Sequence, residues 1–349
     1  MSRIILFLGG LALSLSACGP ETAPTDPSTE PSLARGGGRT YSPHNLGTLA
    51  GAGGFTSHAS AIDPSGRVVG WSEAGSGETH AFLWQDGVMT DLGTLGGIFS
   101  QANDINAKGQ VVGYSATPPP GFVTHAFLWY RGRMTDLGTL GGPYSNARAI
   151  NPKGQVVGGS ERADGESHAF LWENGVMTDL GTLGGRFSQA FDINPKGQIV
   201  GAGTLPSGRL HAFLWEHGTM TDLGTLGGIQ SEAFAINPRG EIVGLAQTAD
   251  GRTHAFLWKH GVMTDLGTLP GGTISAATGI NPAGQIVGYG ELSDGPVVGV
   301  LWEQGVITAT LDPVGDGCCA EATDINPSGQ IVGVSDQDRE LGVATLWTR

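Results

Sequence analysis

Charged residues are scarce in this 349-residue chain, and basic residues are scarcer than acidic ones. Asp, Glu, Lys and Arg make up 14% of the sequence, and 18 basic residues against 32 acidic ones give a formal net charge of −14. Nucleic acids and anionic lipid surfaces attract positively charged proteins, so we expect neither as a partner. The low charge also suits segments that are buried on both faces.

Cysteine is nearly absent, since Cys18, Cys318 and Cys319 are the only examples. The adjacent pair could form a vicinal disulfide in an oxidising compartment, or could stay reduced without a role. Two adjacent cysteines do not by themselves make a zinc site, which normally has four ligands. We therefore predict no metal site and no cofactor.

The apolar run near the N-terminus is too short to cross a membrane. It covers residues 4–15, whereas a spanning helix needs about 20 apolar residues. The sequence Leu15-Ser-Ala-Cys18 follows and resembles the lipobox of bacterial lipoproteins. This resemblance implies a signal peptide at residues 1–17 and a lipid on Cys18; an ordinary signal peptide with an incidental cysteine is the alternative.

The segment after the lipobox predicts where the chain is located. Gly19, in place of an Asp, favours the outer membrane over the inner membrane of a bacterial cell envelope. Residues 18–40 contain the lipid-anchor cysteine and are rich in Pro, Thr, Ser and Gly, which is typical of a disordered linker. Residues 41–349 then form the folded domain, which we expect to be a monomer.

Recognisable catalytic motifs are missing from the sequence. It has neither a Gly-rich phosphate loop that opens a helix nor a nucleophile elbow. The segment Asp104-Ile-Asn-Ala-Lys-Gly109 is faintly similar to a calcium loop, but a plain turn is the better interpretation because Lys occupies a ligand position. The sequence therefore does not indicate an enzyme.

A repeat of about 44 residues fills the rest of the chain. The string His-Ala-Phe-Leu-Trp begins at His80, His125, His168, His211 and His254, and degenerate copies end at Trp302 and Trp347. Such a period is typical of one β-propeller blade per repeat. The seven tryptophans are predicted to pack between blades rather than to bind a ligand.

The order of the repeated blocks predicts a closed ring. An Asp-Leu-Gly-Thr-Leu block follows the first five Trp residues, and a variant of it, Asn45-Leu-Gly-Thr-Leu49, comes before the first repeat, while the chain ends just after the last Trp. Pairing of residues 43–49 with 343–347 would supply the missing last strand and protect the sheet edge. We predict an all-β, seven-bladed propeller of four-stranded antiparallel blades, closed by the N-terminal strand.

Each repeat is read as four strands, A to D. Strand A is predicted at 100–105, strand B at 110–114, strand C at 80–84 and strand D at 88–95, with equivalents in the other repeats. An Asn-Pro-x-Gly turn joins A to B, and a two-residue turn such as Asp86-Gly87 joins C to D. These turns lie on one face of the ring, and the B–C and D–A loops lie on the other.

The histidines of the repeat are predicted to be structural. The hairpin register places each His beside an Asp eleven residues later, in the pairs His80 and Asp91, His125 and Asp136, His168 and Asp179, His211 and Asp222, and His254 and Asp265. Where His becomes Val298, the Asp becomes Ala309. Joint loss is expected for a buried hydrogen-bonded pair, because either partner alone would be unpaired.

At His-Ala-Phe-Leu-Trp and Asp-Leu-Gly-Thr-Leu-Gly-Gly the sequence resembles the bacterial extracellular HAF-repeat proteins, over residues 44–349. The resemblance implies an exported repeat protein and carries no established activity. The Trp at the end of strand C is similar to that of WD-repeat and kelch-type propellers, which supports the fold alone.

Function is expected where the repeats differ, on the face of the variable B–C and D–A loops. One D–A position holds Thr56, Phe99, Tyr144, Phe187, Gln230, Ile274 and Cys319, and two residues later stand His58, Gln101, Asn146, Gln189, Glu232, Ala276 and Glu321. Aromatic rings beside amides could stack on and hydrogen-bond a sugar or an extended peptide, or the aromatics could simply cap the blade junctions.

Three functions remain open from the sequence. The first is a lipid-anchored binding module whose partner is a glycan, a peptide or an envelope protein. The second is an envelope hydrolase or lyase acting on glycan or peptide at the channel mouth, with His58, Glu232 and Glu321 as candidate titratable groups. The third is a structural assembly partner.

Overall fold

The computed structural model describes residues 40–51, 56–119, 123–293, 295–337 and 341–349. The predicted signal peptide, the lipid-anchor Cys18 and most of the linker lie outside these residues. No helix in the described part of the chain is long and apolar enough to cross a membrane.

The described residues form seven four-stranded antiparallel sheets, so the predicted seven-bladed propeller is confirmed. The strands are, in blade 1, β2 (Ser57–Ile62), β3 (Val68–Glu73), β4 (Thr79–Gln85) and β5 (Val88–Asp91); in blade 2, β6 (Ser100–Ile105), β7 (Val111–Ala116), β8 (Thr124–Tyr130) and β9 (Arg133–Asp136); in blade 3, β10 (Gly141–Ile150), β11 (Val156–Arg162), β12 (Ser167–Glu173) and β13 (Val176–Asp179); in blade 4, β14 (Ser188–Ile193), β15 (Ile199–Thr204), β16 (Leu210–Glu216) and β17 (Thr219–Asp222); in blade 5, β18 (Gly227–Ile236), β19 (Ile242–Thr248), β20 (Thr253–Lys259) and β21 (Val262–Asp265); in blade 6, β22 (Ser275–Ile280), β23 (Ile286–Glu291), β24 (Val297–Glu303) and β25 (Val306–Leu311); and in blade 7, β26 (Ala320–Ile325), β27 (Ile331–Gln337), β28 (Leu341–Thr348) and β1 (Ser42–Asn45).

The first strand of each blade lines the centre of the ring. Neighbouring first strands contact one another, so that β2 contacts both β6 and β26. The channel between them has two ends. We call the end beside the B–C and D–A loops the mouth, and the side with the A–B and C–D turns the turn face.

The N-terminal strand closes the ring, as predicted. Strand β1 pairs antiparallel with β28, with Pro43 opposite Trp347 and Asn45 opposite Thr345. The residues flanking β1 anchor it, because Tyr41 is buried with Trp347 and Leu46 is buried between blades 7 and 1. Closure therefore rests on side-chain burial as well as on the strand ladder.

Strand D is shorter than predicted, because it ends at Asp91 and not at residue 95. The carboxylate of Asp91 accepts the Gly93 backbone N–H at 2.7 Å, and Gly93 has a positive φ of 74°. The Ala81 N–H on strand C then donates to the Ser100 hydroxyl of the next blade at 2.9 Å. In a longer strand D, a backbone carbonyl of that strand would accept this N–H instead. The turn and the serine therefore take the chain out of the sheet.

Blade 6 shows what happens without these two residues. Ala309 stands where the other blades have Asp, and Ala320 stands where the next blade would have Ser. Its strand D continues to Leu311, which pairs with Gly299. The short outer strand of the other blades is therefore set by the side chains that terminate it.

The C–D turns follow the predicted two-residue hairpin. In Asp86-Gly87 both residues have positive φ, 50° and 83°, and the equivalent residues of the other five hairpins do the same. This conformation matches the twist of the flanking strands and favours Asn, Asp and Gly.

The hydrophobic core consists of one layer at each of the seven blade junctions. Between blades 1 and 2, for example, Val69 and Ala81 pack against Ile105 and Phe127. The phenylalanines of the repeat are fully buried in these layers. Trp302 and Trp347 are also fully buried, and the remaining tryptophans of strand C pack against the edges of the layers, as inter-blade packing requires.

On the turn face, buried asparagines of the Asn-Pro-x-Gly turns form a belt of hydrogen bonds around the ring. Each donates from Nδ2 to a backbone carbonyl of the following blade, in the order Asn106 to Asn151, Asn151 to Asn194, Asn194 to Asn237, Asn237 to Asn281, Asn281 to Asn326 and Asn326 to Asp63. We call this the asparagine belt. The buried amides of the turn face therefore have hydrogen-bond partners within the protein.

Blade 1 completes the belt differently, because the side chain of Asp63 has no N–H to donate. Its carboxylate binds the guanidinium of Arg67, whose Nη2 donates at 3.1 Å to the Ala107 carbonyl of blade 2. The Arg67 position holds Gln or Glu in the other blades. The pair of changes therefore preserves the link between blades.

Candidate functional site

Seven residues at equivalent positions of the first strands form a ring at the channel mouth. This mouth ring consists of His58, Gln101, Asn146, Gln189, Glu232, Ala276 and Glu321. Each is paired across the ladder with a residue of the second strand, namely Trp71, Tyr114, Gly159, Ala202, Leu245, Tyr289 and Val334. The two sets together determine the chemistry of the mouth.

His58 packs on an aromatic neighbour and not against a carboxylate. Its ring stacks on Trp71 with centroids 5.8 Å apart and planes 7° apart. Burial lowers the pKa of His58 to about 4, so the ring is neutral at physiological pH. Its Nδ1 is buried and has no hydrogen-bond partner among the described residues.

The neighbouring blade presents an aromatic pair beside an amide. The Tyr114 hydroxyl donates to Gln101 Oε1 at 2.5 Å. Phe99 lies edge-on to Tyr114 at 6.2 Å between centroids and is half-buried. Phe187 is likewise half-buried, whereas Tyr144 is 39% exposed, so the three predicted aromatics differ in how much ring they offer to a ligand.

The predicted amides of blades 3 and 4 also contact other parts of the protein. Asn146 Oδ1 accepts a hydrogen bond from Asn103 Nδ2 at 2.9 Å. Gln189 is buried and fills the space beside Gly159, where a side chain would meet it at 3.4 Å. These amides shape the wall of the mouth on blades 3 and 4.

The opposite side of the mouth is acidic. Tyr289 fits there because Ala276, opposite it in the ladder, is small. Burial, and then the charges of Glu321 and Glu232, raise the pKa of Tyr289 to about 12, so its phenol lies within electrostatic range of both carboxyl groups. We call Glu232, Tyr289 and Glu321 the acidic wall.

The carboxyl groups of the acidic wall hold their protons more tightly than exposed ones. Burial, and then the charge of Asp336, raise the pKa of Glu321 to about 7. Burial alone raises the pKa of Glu232. Glu232 of blade 5 and Glu321 of blade 7 thus flank Tyr289 of blade 6 in the order of the ring, while His58 belongs to the aromatic side of the mouth.

Deeper in the channel, three aspartates connect pairs of blades. Asp104 accepts backbone N–H bonds from Ile105 at 2.7 Å and from Ile150 of blade 3 at 2.7 Å. Asp192 and Asp324 bond in the same way to blades 5 and 1. Burial is the main cause that raises the pKa of Asp104 to about 8 and that of Asp192 to about 7, with further contributions from the other aspartates.

The adjacent cysteines lie beside Asp336 at the edge of blade 7. Their Sγ atoms are 2.9 Å apart, and Cys318 Sγ is 3.1 Å from Asp336 Oδ2. Cys319 is a free, buried thiol whose pKa is raised by burial and by Asp336. No vicinal bond is formed in this structure, and oxidation of the pair stays a prediction.

The five His–Asp pairs are hydrogen-bonded in separate blades around the outer rim. The His Nδ1 to Asp oxygen distances are 2.7 to 2.9 Å, from His80, His125, His168, His211 and His254 to Asp91, Asp136, Asp179, Asp222 and Asp265. The pairs are not buried as expected, because the Asp side chains are 34 to 44% exposed at the end of the short outer strand.

Residues that the sequence did not single out define much of the mouth. Trp71, Tyr114 and Tyr289 come from strand B, whose residues looked like ordinary strand positions. The variation of this position between repeats, from Gly159 to Trp71, was the available signal.

Comparisons with known proteins support the fold and no particular activity. The chain has a TM-score of 0.56 to a puromycin-hydrolysing peptidase from Mycobacterium tuberculosis, with 12% identity over 85% of this chain and 52% of that one. It has a TM-score of 0.52 to the β-propeller domain of the trilobed protease from Pyrococcus furiosus, with 10% identity over 84% of this chain and 95% of that one. That domain has an open velcro topology, whereas β1 and β28 close this ring.

No protein-family model matches the chain. No curated protein matches it either. The resemblance to HAF-repeat proteins therefore stays a prediction from the motifs, and the identities of the structural neighbours are low enough that they show the propeller fold alone.

Proposed function

We propose that this chain is a binding module of the bacterial cell envelope that takes a polar ligand at the mouth of its channel. One contrast carries the proposal. On the turn face the buried amides bond from blade to blade, whereas at the mouth the buried Nδ1 of His58 has no hydrogen-bond partner among the described residues. Polar groups that are largely buried without partners are costly, and a ligand would satisfy them.

The residues around the mouth favour a glycan or an extended peptide as the ligand. Trp71, Tyr114 and Tyr144 offer ring surface, and the mouth ring adds carboxyl and amide groups beside it. A concave site with aromatic surface and a few polar groups is typical of small-ligand recognition.

The proposed location follows from the lipobox. A lipid on Cys18 would hold the propeller at the membrane, with residues 19–40 as the connection. Metabolic labelling with a radioactive fatty acid tests it. The wild-type chain should be labelled and the Cys18→Ser chain should not, and equal labelling of both would contradict the anchor.

A binding screen of the full chain against glycans, peptidoglycan fragments and short peptides tests the proposed ligand site. The double variant Phe99→Ala, Tyr144→Ala should lose affinity for whatever the wild type binds. Tyr130→Ala is the matched control, because Tyr130 is also exposed but is the last residue of β8, at the turn-face end of the strand. Equal binding by all three chains would place the ligand elsewhere.

A hydrolase or lyase acting on glycan or peptide at the mouth is the second candidate, and Glu321 favours it. A carboxyl group with a pKa of about 7, near a second carboxyl group and a phenol, is suited to general acid catalysis near neutral pH. Chromatography of the bound ligand after incubation decides between the two. Cleavage by the wild type that Glu321→Gln abolishes supports an enzyme, and an intact ligand supports a binding module.

A further inference from the structure

Two adjacent cysteines and a carboxyl group meet at the edge of blade 7. The Sγ atoms of Cys318 and Cys319 are 2.9 Å apart, and Cys318 Sγ lies 3.1 Å from Asp336 Oδ2. Each of the three side chains offers one such atom, and these atoms all lie within 4.8 Å of one another. The fold therefore brings two sulfur atoms into contact beside a proton acceptor.

Backbone contacts hold this cluster together. The Asp336 N–H donates to the Cys319 carbonyl at 3.0 Å, which ties the loop before β26 to the end of β27. Gly317 passes so close to β27 that a Cβ on it would collide with the Asp336 carbonyl oxygen. The chain itself therefore sets the position of Asp336 beside the two sulfurs.

The two cysteines differ in their access to solvent. Cys318 is half-buried, whereas Cys319 is 6% exposed and is a free thiol. A reagent in solution therefore meets Cys318 Sγ first, and Cys319 Sγ is within reach of Cys318. Thiol–disulfide exchange uses this arrangement, because an accessible sulfur forms a mixed disulfide and a protected thiol beside it resolves that disulfide.

We infer that Cys318 and Cys319 form a thiol–disulfide exchange site for a small disulfide, with Cys318 as the entry sulfur and Cys319 as the resolving thiol. Asp336 is the group that takes up and returns their protons. The inference is independent of the ligand proposed for the mouth, since it concerns sulfur chemistry in the loop before β26.

The exchange proceeds in two steps. Cys318 Sγ attacks one sulfur of a disulfide R–S–S–R, which forms a bond from Cys318 to that sulfur and releases one thiolate, RS⁻. Cys319 Sγ then attacks Cys318 Sγ, which forms the Cys318–Cys319 bond, breaks the mixed disulfide and releases a second RS⁻. Each cysteine proton passes to the Asp336 carboxylate and on to a leaving thiolate. Two protein thiols are oxidised, and the small disulfide is reduced to two molecules of RSH.

The product of this exchange is expected to be reversible. A disulfide between adjacent cysteines closes an eight-membered ring and distorts the peptide bond between them. Strained disulfides are the labile ones, so an excess of the small thiol should drive both steps backwards.

A zinc ion fits the cluster less well than a disulfide does. Two thiolates bound at about 2.3 Å to one tetrahedral zinc lie about 3.8 Å apart, and structural zinc sites have four protein ligands. Among the described residues this cluster supplies three ligands, and its sulfurs are 2.9 Å apart. Attack of one sulfur on the other requires the closer approach.

Intact-protein mass spectrometry tests the inference, with glutathione disulfide as the probe. The full chain carries Cys18→Ser, so that Cys318 and Cys319 are its only cysteines, and it is reduced and freed of reductant before the reaction. We expect this parent chain to lose two hydrogen atoms, to accumulate no glutathione adduct and to release two glutathione thiols. Excess glutathione should then restore the original mass.

Single variants assign the roles of the two sulfurs. Cys319→Ser should stop the reaction at a stable glutathione adduct on Cys318, because the resolving thiol is missing. Cys318→Ser should react roughly tenfold more slowly than the parent, or slower still, because the remaining thiol is buried. Thr56 holds the position of Cys319 in blade 1, so a hydroxyl side chain suits this site.

A third variant tests the carboxyl group. Asp336→Asn should slow the release of the second glutathione by roughly 10- to 100-fold, because an amide cannot take up the Cys319 proton. Asp316→Asn is the matched control, since Asp316 is an exposed carboxylate in the same loop. Circular dichroism of every variant checks that the propeller is folded.

Several outcomes would overturn the exchange site. They are no reaction of the parent chain, a stable glutathione adduct on it, or equal reaction rates of the parent and Cys318→Ser. One zinc ion bound by the reduced parent, lost in Cys318→Ser and Asp336→Asn and accompanied by no disulfide, would assign the cluster to metal binding instead. Equal rates in Asp336→Asn and Asp316→Asn would overturn the role of Asp336 in proton transfer.

Discussion

Three aspartates in the channel show how single residues connect the ring at an electrostatic cost. Asp104, Asp192 and Asp324 each accept one N–H from their own strand and one from the next blade. The same burial that makes these bonds strong disfavours the charged carboxylate and raises the pKa of each. The protonation of these groups is therefore linked to folding.

Stability should fall as the pH rises from about 5 to 8.5. The pKa of Asp104 is raised from 3.8 to about 8 in the folded chain, so the folded state holds a proton that the unfolded state has released. The stabilisation is fully present below pH 4 and is lost as the pH rises through about 8. We expect the free energy of unfolding of the wild type, measured by urea denaturation, to be lower at pH 8.5 than at pH 5 by about 1 kcal/mol or more.

Asp104→Asn should reduce this pH dependence, because an amide does not titrate, although it should also lower the midpoint at pH 5 by weakening one of the two backbone bonds. Asp86→Asn is the matched control, since Asp86 lies in an exposed turn with a φ of 50° that Asn tolerates. An unchanged pH dependence in Asp104→Asn would contradict the assignment to this carboxyl group.

At the residue scale, the sequence predicts those contacts whose two partners change together from repeat to repeat. The His–Asp pairs could be predicted because Val298 and Ala309 lose both partners together. Tyr289 could not be predicted, because its role depends on the small Ala276 across the ladder and on carboxyl groups from two other blades. A repeat alignment shows which positions are equivalent, and it does not show which side chains meet across the axis.

At the scale of the element, the turn between strands A and B also links each blade to the next. The Asn side chain holds its own turn, because Asn194 Oδ1 accepts the N–H groups of Lys196 and Gln198, while its Nδ2 donates to Gln198 and to the Asn237 carbonyl. One buried residue thus fixes a turn and a blade junction together.

Asn194→Asp should destabilise the chain by about 1–3 kcal/mol, because the carboxylate cannot donate to the Asn237 carbonyl and faces the Gln198 oxygen. Adding Gln198→Arg recreates the Asp63 and Arg67 pair of blade 1 and should recover a large part of the loss. Urea unfolding of both single variants and the double variant gives the coupling energy.

The two single variants serve as each other's controls in this cycle. A coupling energy near zero would mean that Arg67 does not replace the asparagine link in blade 1. A favourable coupling of about 1 kcal/mol would show that the belt tolerates either chemistry at a junction.

The ends of strands could be predicted where a turn motif sets them. They could not be predicted where hydrogen bonds from side chains end the strand. Strand A of blade 2 lies at 100–105 as predicted, since a turn motif ends it. Strand D was predicted too long, because its last apolar residues continue the strand pattern while Asp91 and Ser100 redirect the backbone hydrogen bonds. Only blade 6, which lacks both, has the longer strand.

At the scale of the whole molecule, the ring is closed by a strand that comes from the other end of the sequence. Leu46 after β1 and Leu92 after β5 hold equivalent positions, and both are buried at a blade junction. The difference between them is connectivity, because β5 follows β4 through a tight turn, whereas β1 meets β28 only through space.

Leu46→Ala and Leu92→Ala should each destabilise the chain by about 2–4 kcal/mol, since both leave a cavity between blades. Only Leu46→Ala should also release β1 locally, so the backbone amides of β28 should exchange hydrogen faster in that variant. Hydrogen exchange measured by mass spectrometry checks this, and equal protection of β28 in both variants would show that closure does not depend on Leu46.

The architecture of the whole molecule could be read from the sequence, and the chemistry of its mouth could not. The period of the repeat, the seven Trp positions and the displaced Asn45 block predict seven closed blades, which the topology confirms. The predicted mouth residues were chosen by position, and the structure sorts them into an aromatic side with His58, an engaged amide side and an acidic side. That division depends on the order of blades around an axis, which no single repeat contains.

The aspartates of the channel also link the blades of the ring in pairs. Asp104, Asp192 and Asp324 bind forward into blades 3, 5 and 1, and those recipient blades carry Ala149, Ala235 and Ala61 at the same position. Six of the seven blades thus fall into three donor–recipient doublets. Blade 6, with Gly279 at this position and no His–Asp pair, is the odd member, and it is the blade that places Tyr289 in the mouth. The blade that stands outside the doublets is therefore also the blade that places a phenol between the acidic residues of blades 5 and 7.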